Sequence, residues 1–167
     1  MKTKIVLLIS LSVLFFQCSK EGVETKSPLW GVDFSAENTT GFAEGAIEQQ
    51  NDEGPKVIYI VSSGALREAE ENFYTVSFTF ENGESLELGI IKKTADYNYH
   101  FPGNESDNRL ISATFNGEVL DLTDSSISIQ PDQGDNKLHV ITNMHTLNAG
   151  DFNGTLSRIP LLKRATS

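Results

Sequence analysis

The 167-residue chain carries 23 Asp and Glu against 13 Lys and Arg, a formal charge of -10, and one cysteine. A surface of that sign repels phosphates, which argues against nucleic acid binding. With Cys18 as the only cysteine there is no internal disulfide, and no thiolate cluster for a metal.

The chain opens on Lys2 and Lys4, followed by an apolar run from Ile5 to Phe16 broken only by Ser10 and Ser12. A helix crossing the hydrocarbon core needs about 20 apolar residues, so the run is too short for a stable span. It suits the apolar region of a secretory signal. Cys18 follows at once, in Leu14-Phe15-Phe16-Gln17-Cys18-Ser19-Lys20. This arrangement resembles the bacterial lipoprotein signal, in its looser Bacteroidota-type form. That resemblance implies removal of residues 1–17, acylation of Cys18, and a lipid anchor in the outer membrane of a bacterial envelope. Two or more acyl chains, at about 0.8 kcal/mol per buried methylene, hold a protein durably on a bilayer. Residues 18–28 are polar and aperiodic and read as a tether reaching roughly 30 Å when extended.

A single domain is expected over 29–160. Trp30, Val32 and Phe34 alternate with polar residues and predict a first strand. Phe42 to Gln50 is ambiguous: its Ala and Glu content allows a short helix, while Gly41 and Gly45 weaken one. Asn51 to Pro55 is a break. Val57 to Val61 is a continuous run that predicts a strand buried on both faces. Gly64 to Asn72 is the best helical candidate, with a loop as its alternative.

Tyr74, Val76, Phe78 and Phe80 alternate, Asn82-Gly83 turns the chain, and Leu86, Leu88 and Ile90 return. Tyr97, Tyr99 and Phe101 form another alternating strand. Leu110 to Phe115, Asn116-Gly117 and Glu118 to Leu122 read as a second hairpin. Ser126 to Gln130, Leu138 to Thr142 and Phe152 to Ile159 complete the set, and 161–167 reads as a frayed C-terminal tail. Many short strands at regular spacing predict an all-β fold, either an antiparallel β-sandwich or a small lipocalin-like barrel.

Candidate sites are sparse. His100, His139 and His145 match no metal-ligand spacing. There is no Gly-x-Ser-x-Gly elbow. Asp121, Asp124, Asp132 and Asp135 have calcium-like chemistry without the EF-hand spacing, and ordinary turn residues explain them better. The aromatic series Tyr97, Tyr99 and Phe101 is the one candidate ligand-binding stripe, since exposed rings stack on sugars; the same series also suits a core. No residue is assigned to catalysis, a metal or a cofactor.

The architecture is similar to that of small all-β lipoproteins of Bacteroidota-type cells. A tethered β domain with turn-rich edges and no catalytic signature predicts a non-enzymatic, membrane-anchored binding or interaction module with a protein or glycan partner. The alternatives are a lipocalin-like carrier with Phe78, Phe80, Leu88 and Tyr99 lining a roomy interior, and an envelope hydrolase.

Overall fold

The computed structural model describes residues 29–35, 40–51, 54–132 and 134–164. The expected signal segment, Cys18 and the tether lie outside these. The described chain is all-β, with nine strands closing into a barrel. Around the barrel run β2 (Glu44–Gln50), β11 (Gly150–Ile159), β10 (Leu138–Thr146), β9 (Ser125–Pro131), β6 (Asn98–Phe101), β7 (Arg109–Phe115), β5 (Ser85–Ile91), β4 (Phe73–Phe80) and β3 (Val57–Glu70). Pairing between β2 and β3 closes the ring. Neighbours are antiparallel except β6 and β7. Of the two expected architectures the barrel is the one that forms.

β3 does the closing. It runs for 14 residues and pairs with β4 from Val61 to Glu70. Its opposite edge is shared by β2, by β1 (Gly41–Phe42) and by β12 (Leu161–Leu162). Register shifts between Val61 and Ser63 and between Glu68 and Glu70 bend the strand around the wall. Gly64 sits inside this bend because an added Cβ would lie 2.9 Å from Phe78 Cδ1.

Four expectations change. Gly64 to Asn72 is neither helix nor loop: most of it is the second half of β3, so pairing to β4 overrides good helix formers such as Ala65, Leu66 and Glu68. Phe42 to Gln50 is strand except at Ala43: Phe42 ends β1, and Glu44–Gln50 is β2, held between β11 and β3. Val57 to Val61 is buried on one face only: Tyr59 and Val61 point in, while Ile58 and Ile60 are exposed. Its β-branched residues suit the pleat, and no second layer covers them. Trp30 and Val32 are buried, but in a turn-and-bend segment and not in the expected regular strand.

The expected tail also changes. Leu161 and Leu162 are fully buried, and both pair in parallel with β3. The Leu66 N–H donates to the Pro160 carbonyl and the Ser35 N–H to the Leu161 carbonyl, so the C-terminal turn is woven into the wall. Replacing Leu161 with alanine is expected to cost about 2–5 kcal/mol in urea unfolding. A change below about 0.5 kcal/mol would restore the frayed-tail reading.

The inward positions of every wall strand join one core. Val76, Phe78 and Phe80 face Leu86, Leu88 and Ile90, and Ile127, Val140, Phe152 and Leu156 complete the far wall. Aromatic rings meet across the interior: Phe115 lies 5.3 Å from Phe152 and 5.2 Å from Tyr59, centroid to centroid. At about eight strands a barrel interior is either filled by side chains or holds one small ligand; here Phe78, Phe80, Leu88 and Tyr99 have almost no exposed surface.

Toward each end a segment outside the wall strands adds one side chain to the core. At one end, residues 29–35 place Trp30 in the mouth. At the other, the chain after β8 (Glu118–Val119) places Leu120 there, its N–H donating to the Ala113 carbonyl.

Candidate functional site

The expected aromatic stripe lies at the Trp30 end, and its three rings do not share a solvent face. Tyr99 is fully buried, Phe101 packs against the core, and Tyr97 alone is exposed, just before β6 begins. The strand's inward pleat takes Tyr99 and removes it from any external stacking platform.

The structure adds a residue that the sequence reading missed. Lys92, directly after β5, is fully buried. Its ammonium lies 4.5 Å from the Trp30 ring centroid, 5.6 Å from Tyr99 and 5.8 Å from Tyr97. It donates one hydrogen bond, 2.9 Å, to the Asp96 carbonyl. Burial pushes its pKa down to about 8, against a smaller upward pull from Asp96. Trp30 stacks on Tyr99 with centroids 6.3 Å apart and meets Tyr74 edge-on at 5.0 Å. Burial pushes both phenols up.

Two buried donors in this mouth, Trp30 Nε1 and the Tyr99 hydroxyl, make no hydrogen bond. The indole N–H faces Tyr74 closely enough to moderate that phenol's rise, without ordinary hydrogen-bond geometry.

Asn108, itself buried, fixes the loop that carries this lysine. Its Oδ1 accepts from the Lys93 and Thr94 N–H groups at 2.8 and 3.0 Å. Its Nδ2 donates to the Asp96 carbonyl at 2.6 Å. The Asp96 carboxylate in turn accepts from the N–H groups of Tyr97 and Asn98. In the sequence, Lys92 reads as the solvated end of an apolar strand, and nothing local distinguishes it.

The histidines do not converge. His100 borders a surface hollow of about 200 Å³ with Pro102, Asn104 and Asp107. His139 borders another with Gln130, Pro131 and Asp132. His145 sits at the far end of β10, its Nδ1 2.9 Å from Asp151 Oδ1. The four aspartates divide between the ends: Asp121 and Asp124 lie beside Leu120, while Asp132 and Asp135 lie in the β9–β10 loop at the Trp30 end. Among the described residues no group of three or more His, Cys, Asp and Glu is placed to hold a metal.

The Leu120 end forms a tied crown. The Leu147 N–H donates to the Asp121 carbonyl at 2.9 Å. Asn148 accepts from the Asp121 N–H and donates to the Val119 carbonyl, each at 2.9 Å. The Thr123 N–H donates to the His145 carbonyl at 2.8 Å. On this crown Val119 and Leu147 stand out, 66% and 81% exposed.

Comparison with known proteins gives no relative: no family model matches the chain, and neither a curated protein nor a solved structure is significantly similar to it.

Proposed function

We propose that the chain is a lipoprotein of the bacterial cell envelope, anchored in the outer membrane through acylated Cys18, whose barrel is a non-enzymatic interaction module. Its outer surface meets a protein or glycan partner. The observation that carries this reading over a carrier is the filled interior. Phe78, Phe80, Leu88 and Tyr99 pack into one core with rings from opposite walls, and Trp30 and Leu120 join it from outside the wall strands. Recognition then falls to the outside of the wall and to the loops.

Metabolic labelling with an alkyne fatty acid tests the anchor. Label is expected on the wild-type protein and absent from Cys18→Ala, with the mature mass starting at residue 18. An unmodified thiol with residues 1–17 attached overturns the anchor. Titration with a fluorescent fatty acid tests the module. No saturable uptake is expected, and stoichiometric uptake quenched by a substitution at Leu88 would instead select the carrier.

A further inference from the structure

We propose that the crown at the Leu120 end is a docking surface for a partner protein segment that carries Lys or Arg beside apolar side chains. The inference rests on the interaction-module reading and names the surface and the partner's chemistry.

Three observations converge on it. Leu147 is the most exposed large hydrophobic among the described residues, and Val119 stands beside it. Isolated exposed apolar residues are ordinary. These two are different in being fixed to each other through Asn148, which bonds Val119 and Asp121. The bridge from Leu122 to Thr146 ties the same two segments again. A surface ordered before binding loses little conformational entropy when a partner arrives.

The second observation is charge. Glu118, Asp121 and Asp124 lie in the same segment as Val119, and the Asp121 backbone bonds Leu147 and Asn148. Glu81 and Glu84 stand in the adjoining turn, where the Asn116 Nδ2 donates to Glu84 Oε1 at 2.9 Å. Lys56 is the one described Lys or Arg at this end, and Glu48 neutralises it at 2.6 Å.

The third is position. Of the described Lys and Arg residues only Lys56 lies at the crown end; Arg67, Lys92, Lys93, Arg109, Lys137, Arg158, Lys163 and Arg164 lie toward the Trp30 end, interleaved with acids such as Glu68, Glu70, Asp96 and Asp132, so the crown is the end where carboxylates are least balanced by cations.

An apolar pair in so acidic a rim is repelled by anionic lipid. A neutral glycan leaves the carboxylates unmatched. A cationic, apolar protein segment matches both features, and the field steers its approach.

The test uses the mature protein and, as probe, a synthetic peptide of alternating Lys and Leu. NMR shifts are expected only at residues 118–124 and 145–149, with binding that weakens as salt rises. Leu147→Asp is expected to weaken binding by about tenfold or more, and Glu118→Lys with Asp121→Lys to do the same while removing the salt dependence. Both changes lie on exposed side chains, and retained thermal unfolding verifies the fold.

Equal affinity in the variants, shifts along the wall or at the Trp30 end, or no peptide binding each overturn the proposal. So does preferential binding to phosphatidylglycerol vesicles, which would make the crown a membrane contact. Photo-reactive residues in cells separate this failure from failure of the broader reading. Adducts from Ser77, Ser128 or Asn143 on the wall, with none from Val119 or Leu147, would sink the docking surface alone. No adduct from any position would sink the interaction module.

Discussion

Trp30→Ala is expected to lower unfolding free energy by about 3–5 kcal/mol, with the urea midpoint as the readout. Trp30 heads the fully buried side chains by volume, and it is the only tryptophan in the chain. It belongs to no strand, so its contribution comes from packing alone. Truncation opens a void between Tyr74, Tyr99 and Lys92 that the closed wall has little freedom to collapse into. One effect works the other way: water entering the void rehydrates the Lys92 ammonium, which draws the expected cost toward the lower end of the range. Trp30→Phe keeps a ring over Lys92 and discards the unbonded indole N–H, so its cost is expected to be less than half as large. A loss below about 1 kcal/mol for Trp30→Ala would mean that residues 29–35 are a surface strap and not part of the core.

Stability is expected to rise by about 2 kcal/mol between pH 7.5 and pH 9.5, and Lys92→Met is expected to abolish most of that rise. The sign follows from the depressed lysine. Its folded pKa is about 8, below the ordinary 10.5, because burial disfavours the ammonium. The unfolded chain therefore binds more protons than the folded one between those values, and stability increases with pH across that window. Below pH 8 both states are protonated and the full desolvation cost is present.

Above about pH 10 the trend reverses. Tyr59, Tyr74 and Tyr99 have phenols raised by burial, so the unfolded chain ionises first and gains on the folded state. A stability maximum between pH 9 and 10 is the combined expectation. Urea midpoints at four pH values, for wild type and Lys92→Met, check it. A flat profile in the wild type would place the ammonium in contact with water.

How much of this was legible in the sequence depends on the range of the interactions involved. The hairpins are local and were readable. Asn116 and Gly117 both have positive φ, 52° and 82°, as the dipeptide requires in a tight hairpin. The same dipeptide at Asn82-Gly83 makes a different turn, with positive φ at Gly83 alone and the Gly83 N–H donating to the Phe80 carbonyl. The candidate site was less legible. Tyr97, Tyr99 and Phe101 were picked out by alternation, but alternation cannot say which pleat faces the core. Lys92 and the crown of Val119 and Leu147 gave no signal, because each depends on segments distant in the chain.

Composition and period two by themselves determined an all-β domain, its turns and most of its inward residues, since these follow from propensities acting over a few neighbours. Closure of the ring, the strand pairing of Gly64 to Glu70, the burial of Leu161 and the caging of Lys92 were decided only by tertiary structure. The physical reason is that backbone pairing and desolvation act between residues far apart in the chain, and their combined free energy exceeds the few tenths of a kcal/mol that separate local preferences.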